Sequence, residues 1–403
     1  MDVLLTDEQT MVRDTARAFL EAECPPALVR RMEKDPKGYC PDLWAKAADL
    51  GWQGIALPEA HGGSGLPLVY LGLILQEVGR HVAPMPLHAS TTAALALAEA
   101  AGPDLAGAVL PGVTAGETIL TFAVQETDPR LDPSAIRLTA RAEGGSYVLD
   151  GAKMFVDGFP AARHVLVLAR TAEPAPGREG LSLFLVDTDA AGLSEVPLVS
   201  TAKDRHSKLV FDGVRVPAAR LVGPLHGGWP VAERMIDIGT ALLCTQMLGA
   251  ARRDVEMGVE YAKMREAFGQ PIGAFQSIQH MCADMLIWID GGDLLTFEAL
   301  WKIDEGLPFQ VEVSQAKSFC NEKCLAAART SQIIHGGIGF MMDLDLHLWY
   351  RRIAAWGMRL GTSFEHRARI AKALLDHPGD VVLGQPLPGT EFVQAEPDLR
   401  HSA

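Results

Sequence analysis

The chain has 403 residues, 48% of them hydrophobic and 21% charged, a composition typical of a folded protein of two or three domains. Its formal net charge of −14 at pH 7 argues against nucleic acid as a partner, because phosphate backbones are bound by basic surfaces. The apolar runs stop well short of the roughly 18 residues that span a bilayer, so the sequence predicts no membrane role.

Residues 1–116 have the apolar spacing of helices, which prolines and glycines divide into several segments. Thr6 has the side chain expected of an N-cap for the first of them. The glycine-rich stretch at 58–66 has the composition of a loop, and an apolar helix is predicted directly after it, over 69–78. We therefore expect an N-terminal helical domain.

Residues 117–225 change to short runs of β-branched and aromatic residues separated by turns. Strands are predicted at 118–125, 136–142, 147–150, 165–170, 181–187 and 208–211. Because no long helices separate them, the pattern favours a barrel-like antiparallel β domain over the βαβ units of a dinucleotide-binding fold.

Residues 226–377 return to the pattern of long helices, with breaks predicted near 269–275, 305–309 and 336–343. This predicts a C-terminal domain that is a four-helix bundle. The tail at 378–403 is rich in prolines and charges and is expected to form an extended or disordered arm. The predicted fold class is α+β, with helical, β and helical domains in that order.

The cysteines and histidines do not form a metal-binding pattern. Cys320 and Cys324 lie one helical turn apart, but no matched histidines accompany them, and the chain has no CxxC or HExxH sequence. No N-terminal segment has the basic, apolar and cleavage-site order of a secretion signal. We expect a cytoplasmic protein without a metal.

The stretch that begins at Arg265 and ends at Gln276 is Arg-Glu-Ala-Phe-Gly-Gln-Pro-Ile-Gly-Ala-Phe-Gln. It resembles the R-x-x-F-G-x-x-[IL]-x-x-[FY]-Q segment of the acyl-CoA dehydrogenase family, and the resemblance extends over approximately residues 1–377. In that family the arginine and the last glutamine contact FAD of a neighbouring subunit. The resemblance thus implies FAD contacts from Arg265, Phe268 and Gln276, and a guanidinium suits a pyrophosphate because it donates paired hydrogen bonds.

Two further stretches resemble the family's FAD-binding motifs. Residues 332–340 are similar to Q-x-x-G-G-x-G-[FY], with Ile333 where the family has glutamine, while Gly336 and Gly337 still permit close backbone approach to a dinucleotide. Residues 361–363 match G-T-[SN] at the start of a helix. There the resemblance implies that Thr362 and Ser363 donate hydrogen bonds to the FAD pyrophosphate.

The β domain resembles the family along two strands that contact the flavin. The implied contacts are Phe122, Val124, Gln125, Phe155, Val156 and Asp157. Asp157 stands where the family often has a threonine near flavin N5. A carboxylate at that point disfavours negative charge on the flavin unless the side chain turns away or is protonated.

The family's catalytic base is missing from both of its usual places. The glutamate that normally precedes the G-T-S segment is Leu360 here, and the alternative position early in the C-terminal domain matches Gly239. Leu360, Gly361 and Asp237 are nevertheless implied to contact the acyl-CoA substrate. Asp237 lies about 200° around the helix from Gly239 and is a poor substitute for the base.

Other carboxylates are conceivable bases, namely Glu365, Asp128 and Asp132, and the sequence does not choose among them. Three hypotheses stay open. In the first, the chain is an acyl-CoA dehydrogenase of fatty acid metabolism with a relocated or partner-supplied base. In the second, it is a non-catalytic FAD-binding subunit of a heteromeric dehydrogenase. In the third, it is a flavoprotein that catalyses another reaction. The resemblance further implies a homo- or hetero-oligomer, dimeric or tetrameric, with FAD across the subunit interface, and an electron-transferring flavoprotein as acceptor.

Overall fold

The computed structural model describes residues 4–172 and 180–376. Its N-terminal part is helical: α1 (Asp7–Glu23), α2 (Pro26–Met32), α3 (Pro41–Asp49), α4 (Leu68–Arg80), α5 (Leu87–Ala100) and α6 (Pro103–Thr114). Thr6 caps α1 as predicted, because Gln9 N–H donates to Thr6 Oγ1 at 3.2 Å and Thr6 N–H donates to Gln9 Oε1 at 3.0 Å. The predicted apolar helix is α4, which is buried along most of its length.

A β-sheet follows, made of β1 (Leu120–Ala123), β2 (Thr139–Glu143), β3 (Ser146–Asp157), β4 (His164–Arg170), β5 (Leu181–Asp187), β6 (Leu193–Leu198), β7 (His206–Pro217) and β8 (Leu221–Val222). The order is β6-β7-β3-β2-β4-β5-β8, and β1 pairs with β4. The pairings are antiparallel except β1 with β4 and β2 with β4. Strand β4 is buried on both faces: Val165 and Val167 enter the core of the sheet, while Leu166 and Leu168 enter the helical core.

The C-terminal part contains α7 (Trp229–Met264), α8 (Gln276–Asp304), α9 (Gln310–His335), α10 (Leu346–Trp356) and α11 (Ser363–Asp376). A short hairpin of β9 (Glu266–Ala267) and β10 (Gln270–Pro271) precedes α8. Glycines let α7 approach α4: a Cβ on Gly79 would lie 1.9 Å from Gln246 O, and one on Gly249 would lie 1.7 Å from Gln76 O. The two helical parts therefore share one core.

The predicted α+β class, with helical, β and helical parts in that order, is confirmed. Strand β6 was not among the predicted strands, because Pro197 and alternating exposed residues obscure it; as an edge strand it tolerates both. The predicted tail at 378–403 lies outside the described residues. Across 4–172 and 180–376, no helix combines the length and the apolarity that a bilayer crossing demands.

Candidate active site

Strands β1 and β3 bring together the residues predicted to contact the flavin. Met154 N–H donates to Gln125 O at 2.8 Å, and Thr121 Oγ1 donates to Asp157 O at 2.6 Å. Between them Phe122, Val124 and Val156 are buried. The two stretches identified in the sequence thus form one continuous surface in the folded chain.

Phe155 is turned out of this surface by an irregularity in β3. The register of β3 against β7 shifts between Lys153 and Val156, and Phe155 has a left-handed backbone with φ of 54°. Its side chain stays 43% exposed, although Val156 beside it is buried. A non-glycine residue in this conformation is held by its surroundings, here by Lys153, whose Nζ donates to Glu126 Oε1 at 2.7 Å and to Val124 O at 3.1 Å. An exposed aromatic ring at the end of β3 is suited to contact a planar ligand.

Asp157, at the end of β3, is held by two cationic groups. Arg359 Nη1 donates to Asp157 Oδ1, and His206 Nδ1 lies 2.6 Å from the same oxygen. Although burial favours protonation, Arg359 and His206 hold the pKa of Asp157 well below its usual range. The carboxylate therefore stays ionised, and Arg359 and His206 offset its charge without its taking up a proton.

His206 is held as an imidazolium between two carboxylates. Its Nε2 lies 3.0 Å from Asp204 Oδ1, so each ring nitrogen faces a carboxylate oxygen and both carry a proton. Although burial acts in the opposite direction, Asp157 and Asp204 raise the pKa of His206 to about 9. The 2.9 Å contact between Arg359 Nη1 and His206 Nδ1 is then one between two donors, which share the Asp157 oxygen. Sequence reasoning did not find this cluster, because its members lie far apart in the chain.

Leu360 and Gly239, the two usual base positions, face each other. A Cβ on Gly239 would lie 3.6 Å from Leu360 Cδ1 and 2.8 Å from Thr92 Cγ2. Leu360 is buried and has a left-handed backbone, with φ of 53°. Its carbonyl accepts a hydrogen bond from His366 Nε2 at 2.9 Å, and burial lowers the pKa of His366 to about 3. Neither Leu360 nor Gly239, at the family's two base positions, has a group that accepts a proton.

The other carboxylates considered as bases are engaged elsewhere. Glu365 Oε2 accepts the Thr362 N–H at 2.8 Å and its hydroxyl at 2.9 Å, which caps α11. Asp128 is paired with Arg130, whose hydrogen bonds lower the pKa of the carboxyl to about 2. Asp132 Oδ1 accepts the Ser134 N–H at 2.8 Å. Each carboxylate has a structural role that explains its presence.

Leu360 and Gly361 line two different cavities. The first, here called the inner cavity, is lined by Leu360, Asp157, Arg359 and residues of α5, α7 and α10, and the second, the outer cavity, by Gly361, Asp237 and residues of α7 and α11. Asp237 is buried and pairs with Arg369 through two hydrogen bonds of 2.7 and 2.9 Å. Asp237 therefore lines the outer cavity. It is a buried, paired carboxylate and not a solvated one on the surface of a helix.

His88, on α5, lines the inner cavity and was missed by sequence reasoning. Its Nε2 lies 2.7 Å from Gly239 O, and because a carbonyl only accepts, Nε2 carries the proton and Nδ1 the lone pair. Burial lowers the pKa of His88, so the ring is neutral. A lone histidine in an apolar helix gives no pattern to detect; its closeness to Gly239 comes from the packing of α5 on α7.

The residues predicted to contact FAD of a neighbouring subunit lie on one exposed surface, which we call the α7–α9 surface. They are Arg265, Phe268, Gln276, Ile333, Gly336 and Gly337. Tyr261 and His335 stack with ring centroids 4.4 Å apart, which joins the end of α7 to the end of α9. Two motifs almost 70 residues apart in the chain are thereby neighbours, as their shared role requires.

The α7–α9 surface suits an anionic dinucleotide. Within the described part of the chain Arg265 is exposed and forms no ion pair, and nothing lies within 4 Å of a Cβ built on Gly336 or Gly337. A guanidinium without a carboxylate partner and open glycine backbone on the same surface fit a pyrophosphate. At the start of α11 the donors of Thr362 are taken by Glu365, so the pyrophosphate contact predicted there requires Glu365 to release them.

Comparisons with known proteins agree over the whole described chain. Models of the acyl-CoA dehydrogenase N-terminal, middle and C-terminal domains match residues 6–117, 121–214 and 226–375. The probable acyl-CoA dehydrogenase YngJ of Bacillus subtilis is 31% identical over 386 residues, which cover 93% of this chain and 100% of YngJ.

Solved structures give the same result. Butyryl-CoA dehydrogenase from Megasphaera elsdenii superposes with a TM-score of 0.87 at 26% identity, covering 93% of this chain and 100% of the other. The ChsE4-ChsE5 complex from Mycobacterium tuberculosis superposes with a TM-score of 0.86 at 28% identity, covering 94% and 100%.

Proposed function

We propose that this chain, which belongs to the acyl-CoA dehydrogenase family, acts on the α,β bond of an acyl-CoA thioester with a base other than the family glutamate. It is a flavoprotein of the oxidoreductase class, and FAD is its cofactor. The residues that would hold FAD are those of β1 and β3 in one protomer and of the α7–α9 surface in the next. An electron-transferring flavoprotein as acceptor stays a prediction from the resemblance.

The observation that carries the proposal is the arrangement around Leu360. Leu360 lines the inner cavity and its neighbour Gly361 lines the outer cavity, so a thioester placed at these two residues would extend its acyl chain into one cavity and CoA into the other. Within the described residues the Leu360 N–H has no hydrogen-bond acceptor. A free N–H beside a thioester carbonyl polarises it and favours loss of the α proton.

The reaction removes a proton from the α carbon and a hydride from the β carbon, and the electron pair of the broken α C–H bond forms the double bond. Bound FAD supplies the acceptor for the hydride. The chain must then position the thioester, exclude water and take the proton. Leu360 and Gly239 contribute shape at the family's base positions, and neither holds a proton.

His88 is the relocated base in this proposal. It is neutral, its Nε2–H is fixed on Gly239 O, and its Nδ1 makes no hydrogen bond within the described part of the chain. A general base requires a fixed tautomer with a free lone pair, and His88 has both in the inner cavity. The lowered pKa keeps the ring unprotonated at neutral pH, although it also makes the base a weaker one.

Anaerobic titration with a panel of acyl-CoAs tests this function. Removing a positioned general base costs roughly 100- to 10,000-fold, so His88→Gln should slow bleaching of the flavin band by that factor while thioester affinity is kept. His81→Gln is the matched control, because His81 also bonds a helix carbonyl, Glu77 O at 2.9 Å, but lies away from the cavity. Bleaching by His88→Gln at the wild-type rate would refute the assignment of His88.

A second function, a partner subunit without its own base, is favoured by a different observation. Both base positions are filled by groups that take no proton, and the solved ChsE4-ChsE5 relative is a complex of two differently named chains. A colourless homo-oligomer in light scattering that gains FAD only with a second gene product would support this function. A flavin-saturated homo-oligomer that bleaches with acyl-CoA would exclude it.

A further inference from the structure

Gln246 presents its side-chain amide to the inner cavity. It lies on α7 and is 9% exposed, and among the described residues neither its Nε2 nor its Oε1 has a hydrogen-bond partner. Gln246 is two helical turns beyond Gly239, about 10 Å along the axis. A buried amide is normally hydrogen-bonded, so a free amide N–H at the wall of a cavity is available to donate to a ligand.

Arg352 presents unpaired donors to the same cavity from the other side. On α10, its Nε donates to Ala202 O at 2.9 Å, and its terminal nitrogens form no hydrogen bond or ion pair within residues 4–172 and 180–376. Arg352 lies near the end of α10, and Arg359 lies in the turn that follows this helix. Gln246 and Arg352 therefore line the same cavity as Leu360.

The charges around this end of the cavity are unbalanced. The lining carboxylates are Asp157 and Asp204, and both are engaged by His206 or Arg359. Arg205 donates to the backbone carbonyls of residues 33, 35 and 203 and forms no ion pair among the described residues. An apolar acyl tail would cover the unpaired donors without replacing their hydrogen bonds, which is unfavourable.

We infer that the inner cavity binds a carboxylate at the far end of the acyl chain, held by Arg352 and Gln246, so that the substrate is the CoA thioester of a dicarboxylic acid. This rests on the function proposed above and gives its substrate class. A planar carboxylate accepts two hydrogen bonds from a guanidinium and a third from an amide N–H, which matches the donors present. The axial rise of about 10 Å along α7 from Gly239 to Gln246 calls for an acyl chain of medium length.

Isothermal titration of the FAD-loaded protein, as it assembles, compares carboxyl-ended with methyl-ended thioesters of equal length: adipyl- with hexanoyl-CoA, suberyl- with octanoyl-CoA, and sebacyl- with decanoyl-CoA. We expect the carboxyl-ended member of at least one pair to bind roughly 10- to 100-fold tighter, the range of a charge-assisted hydrogen bond. Arg352→Gln should abolish that preference, and Gln246→Leu should reduce it. Arg352→Lys should keep part of it, because the charge is retained.

The outcomes separate the two proposals. Tighter binding of the methyl-ended members, or no preference within any pair, overturns the dicarboxylate inference and leaves the acyl-CoA function standing. An Arg352→Gln variant that loses FAD and weakens both classes equally also overturns it, since Arg352 would then serve the cofactor. If no thioester of either class binds, the proposed function itself fails and the inference falls with it.

Discussion

The two halves of the FAD site differ in how their charges are satisfied. The half formed by β1 and β3 is largely buried, and the charges of Asp157, Asp204, His206 and Arg359 offset one another within one protomer. The half formed by the α7–α9 surface is exposed, with Phe268 at 94% and Ile333 at 59%, and Arg265 has no ionic partner among the residues that the structure describes. The charges of the first half are satisfied within one protomer, whereas Arg265 in the second half is available to a ligand or to another subunit.

This difference predicts different consequences of mutation. Changes in the buried half should alter the free energy of unfolding, because they leave charges without partners in a medium of low polarity. Changes on the exposed surface should alter unfolding little and weaken FAD retention or subunit association, because these side chains are largely exposed in the protomer. The following experiments test this division, from the largest expected effect to the smallest.

The pH dependence of stability should reveal His206. Its pKa is raised from 6.5 to about 9, so its contribution is complete below pH 6.5 and is lost as the pH rises through about 9. The shift corresponds to on the order of 3 kcal/mol. Denaturant unfolding between about pH 6 and about pH 10 should show a loss in the wild type that His206→Gln lacks. Equal slopes for the two proteins would show that His206 is not held as an imidazolium.

Asp157→Asn should destabilise the fold by about 2–3 kcal/mol, below the 3–5 kcal/mol of a fully buried pair, because the Asp157 side chain is 27% exposed. The change leaves Arg359 and His206 facing a neutral amide. The control is Asp212→Asn, which removes an exposed carboxylate on β7 and should alter stability little. If the two variants unfold at the same denaturant concentration, the network around Asp157 does not stabilise the protomer.

Arg265→Ala should leave the unfolding of the apo-protein unchanged and weaken FAD retention. A lost charge-assisted hydrogen bond is worth about 1.5–3 kcal/mol, or roughly 10- to 100-fold in affinity. Equilibrium dialysis of FAD against the variant measures this, with Arg31→Ala as a control for an exposed arginine on a different surface. Unchanged FAD affinity would remove Arg265 from the cofactor site, and lost stability would contradict the division between the two halves.

Much of the architecture follows from local patterns. The helix breaks near residues 269–275 and 305–309 were read from glycines and prolines, and α8 and α9 begin just after them. Periodicity alone predicts β3 only over 147–150, and the family resemblance supplies its continuation; the strand runs through Gly151, with φ of 139°, to Asp157. A glycine at which a strand bends interrupts the run of residues from which a strand is predicted.

Site residues could be predicted from sequence where a single motif contains them. They could not be predicted where residues from several helices or strands come together. Leu360 and Gly239 were identified at the base positions from neighbouring residues, but their mutual contact depends on the packing of α7 against the turn before α11. His88, His206 and Arg352 gave no signal, because their partners lie on other elements. Such groups acquire a role through tertiary contacts, which spacing does not encode.

In this protein the pocket around position 360 is retained, but the residue there no longer accepts a proton. Restoring a carboxylate at position 360 tests this most directly. Stopped-flow bleaching of the flavin by acyl-CoA is measured for His88→Gln, for His88→Gln with Leu360→Glu, and for His88→Gln with Leu360→Gln. A carboxylate at position 360 should restore bleaching by roughly 100- to 10,000-fold, and the amide, similar in shape, should not. Slow bleaching in both double variants, despite undiminished acyl-CoA binding, would contradict the account.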